Sequence, residues 1–387
     1  MNRYSVGIIG GGPAGSSCAL ALMRQGHKDV LLVESGGYTG FRIGETIPPE
    51  TNRVLQQLDL YDAFLTEGHD PCYGSCSYWG DDRRGYNDSV LSPFGHGWHL
   101  DRVRFDGFLA HEAQRAGANV MTHAKFRSSR RLKSGGFCLT LTTERDRSTT
   151  VAMDTVVDAT GARGLFAAEQ GSSRIGTPSL VCLAMRYDLA TGNRDMSSLT
   201  HLESVEFGWW YAARLSRVSL IVALYADVEA IKEQGLNRTE NWLSALQAAP
   251  NTGKLVVGLE RLDRRPKGFP ASSHRLDKFT GRNWLSIGDA ASAYDPITSQ
   301  GILKSMMDGI YAADVLTSDR KSECDAFPEF AVAHANRYEQ YLETRQHLYR
   351  LETRWPEARF WKKYQGSSER PDTQPSAISH RSERVGM

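Results

Sequence analysis

Residues 4–26 read YSVGIIGGGPAGSSCALALMRQG, and this stretch decides the fold class. An apolar run that favours a strand is followed by glycines, and then by apolar residues at helical spacing. Pro13 suits the first turn of the helix and Gly26 suits its end. Because DVLLVES (Asp29–Ser35) predicts a second buried strand, we expect a βαβ unit and therefore a parallel sheet.

The glycines between strand and helix form the pattern Gly10-x-Gly12-x-x-Gly15, and Glu34 ends the next strand about 20 residues later. Such glycines let the backbone approach a pyrophosphate, the helix amino terminus stabilises its charge, and the acidic residue accepts from ribose hydroxyls. The alternative is a tight turn without a ligand. The dinucleotide-binding residues predicted here are Gly10, Gly12, Pro13, Ala14, Gly15, Glu34 and Ser35.

Two distant segments favour FAD over NAD. VVDATG (Val156–Gly161) resembles the second nucleotide-contacting strand of glutathione-reductase-type flavoproteins, and WLSIGDAA (Trp284–Ala291) resembles their Gly-Asp signature at the ribityl chain. DPITSQG (Asp295–Gly301) leads into a helix whose amino-terminal amides would stabilise negative charge on the flavin. The resemblance adds Ala159, Gly161, Gly288, Asp289, Pro296, Ser299, Gln300, Gly301 and Ile302 to the FAD site. Without a second complete glycine motif, electrons are expected from transiently docked NAD(P)H or from a separate flavin reductase.

The bulk composition excludes several classes of protein. A net charge of +1 gives no electrostatic reason to expect nucleic acid or membrane as a partner. No apolar run approaches the roughly 20 residues that span a bilayer, and the start lacks a signal-peptide layout, so we expect a cytoplasmic protein. The six cysteines do not form a disulfide framework, and Cys72 and Cys76 lack the further ligands of a zinc site. A redox role for that pair stays open, and no metal is expected.

With these segments in view, the chain resembles the single-component-fold flavin monooxygenases and the flavin-dependent tryptophan halogenases. GETIPP (Gly44–Pro49) is similar to a segment that halogenases carry near the isoalloxazine, and GWHLDR (Gly97–Arg102) resembles a monooxygenase segment whose arginine contacts FAD. The resemblance implies that Arg102 contacts the flavin; the alternative is a surface ion pair with Asp101 or Asp106. Arg42 is a further candidate for the pyrophosphate.

The resemblance implies an α/β fold, with a glutathione-reductase-type FAD-binding Rossmann domain and a mixed-sheet substrate domain like those of p-hydroxybenzoate hydroxylase and the flavin halogenases. We assign residues 1–75, 100–170 and 275–325 to the FAD domain, and 76–99 and 171–274 to the substrate domain. C-terminal helices are expected over 326–365, including a long one at 329–349, and the polar segment 366–387 predicts a flexible tail. Residues 50–66 are expected to be helical.

Two departures argue against halogenation. The sequence has no lysine between Lys28 and Lys125, where halogenases carry the lysine that directs hypohalous acid. An arginine does not replace that ammonium cleanly. The Trp-x-Trp-x-Ile-Pro box of the halogenases is also absent, because WWYAAR (Trp209–Arg214) stands in its place.

A narrower resemblance rests on GETIPP, GWWYAARL (Gly208–Leu215), GDAASAYDPITSQGI and RWPEARFW. These segments are similar to the flavoproteins that mature cysteine tryptophylquinone, the LodB, GoxB and QhpG group. The resemblance implies that a flavin C4a-hydroperoxide hydroxylates a tryptophan inside a partner protein, the precursor of a quinoprotein oxidase or dehydrogenase subunit. The alternatives are a monooxygenase or halogenase acting on a small free aromatic such as tryptophan, and a flavoprotein chaperone without catalysis.

Hydroxylation of an indole needs a base mainly to remove the ring proton. Glu45, His96 and His99 are the candidates; Glu45 could instead accept backbone hydrogen bonds in its turn, and His99 could bond backbone in a loop. The candidate substrate contacts are Trp209, Tyr211, Tyr73 and Tyr294. On a strand, Trp209 and Tyr211 share one face and Trp210 points to the other, so at most two of these rings meet a common substrate.

Overall fold

The computed structural model describes residues 2–176, 179–191, 197–216, 218–318 and 327–366. Its strands are β1 (Arg3–Ile9), β2 (Val30–Val33), β3 (Thr46–Ile47), β4 (Asp70–Cys72), β5 (Gly74–Tyr78), β6 (Gly85–Asp88), β7 (Gly97–His99), β8 (Asn119–Met121), β9 (Lys125–Arg131), β10 (Phe137–Thr142), β11 (Ser148–Asp158), β12 (Arg174–Ile175), β13 (Leu180–Asp188), β14 (Thr200–Val205), β15 (Gly208–Ser216), β16 (Ser219–Asp227), β17 (Glu260–Arg261), β18 (Lys267–Pro270), β19 (His274–Leu276), β20 (Thr280–Gly281), β21 (Trp284–Ser286) and β22 (Ser292–Ala293). Its helices are α1 (Pro13–Arg24), α2 (Thr51–Gln57), α3 (Tyr61–Thr66), α4 (Arg102–Arg115), α5 (Leu165–Glu169), α6 (Val228–Gln234), α7 (Thr239–Ala248), α8 (Gly301–Thr317), α9 (Pro328–Arg350) and α10 (Arg359–Gln365). Cys324 and residues 367–387 of the expected tail lie outside the described residues.

The predicted βαβ unit is the centre of a sheet with parallel strand order β21-β11-β1-β2-β8. Ile9 pairs with both Val33 and Asp158, so the glycine turn after β1 lies at the carboxyl edge of the sheet. The end of β11 lies at the same edge. In such sheets ligands bind outside the carboxyl ends of the strands. The parallel sheet expected from residues 4–26 is confirmed.

Helix α8 crosses α1 at backbone distance. A Cβ atom added at Gly309 would lie 2.4 Å from the carbonyl oxygen of Ala14, so only glycine permits this approach. The first turn of α1 also contacts the turn at Gly288, because a Cβ atom at Gly288 would lie 2.7 Å from the Cβ of Ala14. Two motifs that lie far apart in the sequence therefore contact each other.

The second large sheet has the order β17-β13-β16-β15-β14-β5-β6, with β18 also pairing to β13. Its pairs are antiparallel except for β14 with β5, which makes it the mixed sheet that the resemblance implies.

A small sheet of β3, β7 and β4 brings two predicted motifs together. Thr46 of GETIPP pairs with His99 of GWHLDR. On the other side of β7, His99 pairs with Asp70 of β4. The predicted boundaries assign Thr46 to the FAD domain and His99 to the substrate domain. This pairing therefore joins the two assigned regions beside the candidate site.

The helical expectation for residues 50–66 is wrong at one point. The segment forms two helices, α2 and α3, because the chain reverses at Asp59 with a φ of 42°. The break lets Leu58 and Leu60 both enter the core, where they are 2% and 0% exposed. The long C-terminal helix is confirmed as α9, one residue longer at each end than expected.

Candidate functional site

In the glycine turn after β1, Gly10 and Gly15 are closely packed, whereas Gly12 borders open space. A Cβ atom added at Gly10 would lie 2.1 Å from the carbonyl oxygen of Ala159. One added at Gly15 would lie 1.9 Å from the carbonyl oxygen of Gly10. At Gly12, by contrast, no described atom lies within 4 Å of the added Cβ. Helix α1 begins there without a side-chain cap from the described residues. This open space at the amino end of α1 suits a pyrophosphate.

Glu34 lies beside this turn and is tied to it. Its Oε2 accepts a hydrogen bond from the amide of Gly11 at 2.8 Å, and its Oε1 accepts from that of Gly36 at 2.9 Å. Among the described residues Oε2 accepts only the Gly11 amide, so this oxygen keeps an acceptor position for a ribose hydroxyl. Ser35 follows directly, and its hydroxyl donates to Oε1 of Glu34 at 3.3 Å.

Arg42, a predicted pyrophosphate contact, is held by carboxylates. Its Nη1 lies 2.8 Å from Asp106 and its Nη2 lies 3.2 Å from Glu34. Its guanidinium is partly exposed, whereas the Asp106 carboxyl is fully buried. The arginine therefore links Glu34 to helix α4.

The end of β11 forms a second turn at the same edge of the sheet. Asp158 is buried and accepts from the amides of Thr160 and Ala167, at 3.0 and 2.8 Å. Burial raises its pKa, and these hydrogen bonds oppose that shift. Asp158 thus holds the backbone of Ala159 and Gly161, which are predicted to meet the nucleotide, and no described atom lies within 4 Å of a Cβ added at Gly161.

Asp308 of α8 holds the Gly288–Asp289 turn in place. Asp308 accepts the amide of Gly288 at 3.1 Å and pairs with Arg337 at 2.7 Å. Lys304 donates to the carbonyl oxygen of Gly288 at 2.7 Å. Burial would raise the pKa of Asp308, but the charges of His334, Lys304 and Arg337 outweigh it and hold that pKa well below its usual range.

Asp289 follows Gly288 in this turn. It is only partly buried, and its pKa is raised by desolvation, with Lys304 and Arg102 opposing. The adjacent turn starts at Asp295, whose carboxyl caps it by accepting the amide of Ile297 at 3.0 Å. Ser299 adopts a left-handed conformation with a φ of 51°, after which α8 begins at Gly301. Pro296, Ser299 and Gln300 are partly or fully exposed at the amino end of α8, and Ile302 is buried behind them.

Arg102 holds the GETIPP turn against α8. Its Nη1 donates to the carbonyl oxygens of Ile43 and Gly44, at 2.6 and 3.3 Å, and its Nε pairs with Asp106 at 3.0 Å. A Cβ atom at Gly44 would lie 2.8 Å from this guanidinium and 3.7 Å from Ile302. The ion pair with Asp106 considered from the sequence exists, but it is buried rather than on the surface. Asp101 instead caps helix α4.

Glu45 is 2% exposed, and among the described residues its Oε1 has no hydrogen-bond partner. Burial raises its pKa to about 7, with the charge of Arg102 opposing. Its titratable neighbours on the large sheet are Cys182, Tyr211 and Tyr225, whose own pKa values burial raises well above their usual range. The result is a carboxyl group in a largely uncharged surrounding, able to gain or lose a proton near neutral pH.

A directed chain of hydrogen bonds runs next to Glu45. The carbonyl oxygen of Ser198 faces Nε2 of His99 at 3.2 Å, so that nitrogen carries the proton. Burial lowers the pKa of His99 to about 4, which keeps the ring neutral and makes Nδ1 an acceptor for the Thr46 hydroxyl at 3.2 Å. Thr46 in turn accepts from the Tyr211 hydroxyl at 2.7 Å. His99, with both nitrogens engaged, fixes the orientation of Tyr211.

The three aromatic residues of GWWYAARL divide as the strand alternation predicts. Tyr211, 8% exposed, lies on the Glu45 side of β15 with Trp209, whereas Trp210 joins the apolar cluster on the other side. Trp209 is fully buried, and its ring stacks on Tyr225 at 4.0 Å. In this arrangement Trp209 is covered by protein, and Tyr211 is the aromatic residue of the pair that borders Glu45.

The remaining predicted residues lie at two different places. Tyr73 is 48% exposed, and its ring lies 5.3 Å from that of His96, which in turn contacts Trp98 at 4.5 Å. Tyr294 stacks on Tyr341 of α9 at 3.9 Å. Tyr294 also contacts Tyr338 of the same helix, so its ring packs on α9.

The sequence pointed to Asp106 only as a surface partner and did not single out Asp308. Both carboxyls are fully buried, and each pairs with at least two cationic side chains. An acidic residue flanked by apolar ones on a predicted helix is the signal that could have found them. Cys72 and Cys76 are not joined by a disulfide: Cys72 bonds Thr200 and Cys76 bonds His201, the next residue of β14. The described residues contain no cluster suited to a metal ion and no helix long and apolar enough to cross a membrane.

Comparison with known proteins identifies the chain. A family model described as tryptophan halogenase matches residues 5–90 and 80–385. LodB of Marinomonas mediterranea, described as an FAD-dependent oxidoreductase, is 30% identical over 366 residues, which cover 94% of this chain and 97% of LodB.

Two solved structures share the fold. The myxobacterial chondrochloren halogenase CndH superposes with a TM-score of 0.87 at 20% identity, covering 96% of this chain and 87% of CndH. The peptidyl tryptophan dihydroxylase QhpG superposes with a TM-score of 0.73 at 23% identity, covering 97% of this chain and 81% of QhpG.

The residues present fit FAD. The open space at Gly12 before an uncapped helix suits a pyrophosphate, and the remaining acceptor position on Oε2 of Glu34 suits a ribose. The turn ending at Gly301 presents a second helix amino terminus near the segment that carries Glu45, because a Cβ atom at Gly44 would lie 3.7 Å from Ile302. The chain belongs to the tryptophan halogenase family and is an FAD-dependent oxidoreductase.

Proposed function

We propose that this chain is a monooxygenase that inserts oxygen into a tryptophan side chain of a partner protein, for tryptophylquinone cofactor biogenesis. LodB matches nearly the whole chain, and QhpG, which has the same fold, is a peptidyl tryptophan dihydroxylase essential for that biogenesis. The observation that carries the proposed chemistry is the Glu45 carboxyl, buried and with one oxygen unpartnered among the described residues. A buried acceptor without a partner is costly unless a ligand or a reaction uses it.

Bound reduced FAD supplies an electrophilic oxygen from O2, and the protein must orient the ring and move its proton. An indole is electron-rich enough to attack such an oxygen without first losing a proton. The ring proton must then leave, and Glu45 accepts it in our assignment. A pKa of about 7 suits this role, because a base works best when its pKa lies near the operating pH.

The neighbouring groups orient rather than react in this proposal. Arg102 holds the carbonyl oxygens on either side of the Gly44 peptide and so fixes the backbone that carries Glu45. The hydrogen bonds from Tyr211 to Thr46 and from Thr46 to His99 fix the orientation of the Tyr211 hydroxyl. His96 remains a second candidate base, because it is only partly buried and lies next to the exposed Tyr73.

The alternative is a monooxygenase or halogenase that acts on a small free aromatic such as tryptophan. The superposition on CndH favours it, because the TM-score of 0.87 is higher than that with QhpG. Against halogenation stands the absence of any lysine between Lys28 and Lys125 in the sequence. The proposal further includes a cytoplasmic reaction, electrons from NAD(P)H or a separate flavin reductase, and a quinoprotein oxidase or dehydrogenase subunit as partner.

Mass spectrometry of a co-expressed quinoprotein precursor tests the substrate. We expect the precursor to gain oxygen atoms on a tryptophan when this chain and a source of reduced flavin are present. In parallel, the purified enzyme is given reduced FAD, O2, a halide salt and free tryptophan. Hydroxylated or halogenated free tryptophan together with an unchanged precursor would overturn the proposal in favour of the alternative.

Glu45→Gln tests the assigned base, with Glu50→Gln as the matched control in the same segment, because Glu50 is exposed. Loss of a general base typically lowers the rate by about 10²- to 10⁴-fold. We expect that loss for Glu45→Gln with FAD still bound, and full activity for Glu50→Gln. Equal activity of the two variants would remove Glu45 from the mechanism.

A further inference from the structure

Three separate parts of the chain meet at the hydroxyl of Tyr349 in α9. The indole Nε1 of Trp209 on β15 donates to Oη of Tyr349 at 3.2 Å. That hydroxyl then donates to Oδ2 of Asp295 at 2.9 Å. Trp209 and Tyr349 are fully buried, so water does not compete for either bond.

Asp295, at the end of this series of hydrogen bonds, fixes the turn at residues 295–300, which precedes α8. Oδ1 of Asp295 accepts the amide of Ile297 at 3.0 Å, and its own amide donates to the hydroxyl of Tyr341 at 2.6 Å. Both carboxyl oxygens and the amide of Asp295 are therefore engaged, two of them by tyrosines of α9. The conformation of the turn that leads to Gly301 depends on these contacts.

The carboxyl of Asp295 is 2% exposed, and burial raises its pKa to about 6, opposed by the amide of Ile297, the charge of Arg345 and the hydroxyl of Tyr349. The groups that face it come from α9, namely Tyr341, Arg345 and Tyr349, while Tyr364 of α10 lies further out in the same cluster. Packing alone does not require a carboxyl here, since an apolar residue would avoid the cost of desolvation. The charge lies in the segment that is assigned to the flavin.

We propose that Tyr349 is a positioning residue, which ties the tryptophan-rich strand of the substrate sheet to the flavin-facing turn and thereby sets the electrostatic environment of FAD. This rests on the assignment of residues 295–301 to the flavin. Trp209 is then the outer end of the connection. Through the hydrogen bond of its indole, the position of β15 affects the turn before α8. The indole does not touch substrate.

Tyr349→Phe removes both hydrogen bonds and keeps the ring. The turn loses a donor to Asp295, so we expect about three- to tenfold weaker binding of FAD, the size of one or two buried hydrogen bonds. Above the pKa of Asp295 the uncompensated carboxylate also disfavours the negative charge of reduced flavin, so the midpoint potential of bound FAD should become more negative. Both quantities are measured on the FAD-loaded chain without substrate, by fluorescence titration and by spectroelectrochemistry.

Two further variants separate positioning from packing. Tyr364→Phe is the matched control, because this buried tyrosine stacks on Tyr349 at 4.9 Å, but its hydroxyl bonds Ser179 and not the turn. Trp209→Phe removes only the outer bond and should give a smaller shift of the same sign. If Tyr349→Phe matched Tyr364→Phe in FAD affinity and midpoint potential, the inference would be overturned.

The outcome is independent of the substrate. Oxygen insertion into a precursor by wild type, together with unchanged flavin properties of Tyr349→Phe, would overturn only the positioning role. Altered flavin properties without oxygen insertion by wild type would overturn the proposed function and leave the positioning role intact.

Discussion

The two faces of the substrate sheet at β15 are built from adjacent residues but from different chemistry. On one face, Tyr211 borders the Glu45 carboxyl and bonds the hydroxyl of Thr46. On the other, Trp210 packs edge-on against Trp242 at 5.1 Å, in a cluster of aliphatic and aromatic side chains. One strand therefore contributes to a site and to a hydrophobic core by simple alternation, and the carboxyl whose pKa lies near neutral borders the site face.

The largest effect is expected on the core face. Trp210→Ala should lower the free energy of unfolding by about 3–5 kcal/mol, because it leaves a cavity against Trp242. Guanidinium unfolding of the cofactor-free chain measures the loss. Trp210→Phe is the control: it keeps a ring and removes an indole N–H that has no partner among the described residues, so its cost should be smaller. If Trp210→Ala changed the pH dependence of oxygen insertion in protein that is still folded, the separation of the two faces would be refuted.

On the site face, Glu45 should make stability depend on pH in an unusual direction. Its pKa is raised by burial from 4.5 to about 7, so the folded state holds the proton more tightly than the unfolded state. The stabilisation is complete below 4.5 and is lost as the pH rises through about 7. Glu45→Gln carries no such group and should be more stable than wild type above pH 7, by at most about 3 kcal/mol at 1.36 kcal/mol per pKa unit.

Urea unfolding of wild type, Glu45→Gln and Glu50→Gln between pH 5 and 9 measures this difference. The exposed Glu50 should leave the wild-type profile unchanged. Parallel profiles for wild type and Glu45→Gln would mean that the Glu45 carboxyl is not desolvated, and the contrast between the two faces would then be lost.

The sequence predicted what depends on local chemistry. The glycines at 10, 12 and 15 determine the turn and the start of α1, and the alternation of Trp209, Trp210 and Tyr211 follows from strand geometry alone. What it could not predict depends on distant pairing. Thr46 and Tyr211 are 165 residues apart in the sequence, and Asp295 and Tyr349 are 54 apart. Burial of Asp308 likewise results from packing between α8 and α9, and the apolar residues around it were the only local sign of that burial.

The smallest effect is expected at the hydroxyl of Tyr211. Tyr211→Phe removes one hydrogen bond to Thr46 and should cost about 1 kcal/mol of stability. Because Thr46 also faces the hydroxyl of Thr200 at 3.1 Å, that neighbour can take over the vacated acceptor position. A double-mutant cycle with Thr46→Val isolates the pair. A coupling energy of zero would mean that the chain to His99 does not orient Tyr211. A clear coupling, together with a rate that falls more in Tyr211→Phe than stability does, would show that the site face holds this phenol for the reaction rather than for the fold.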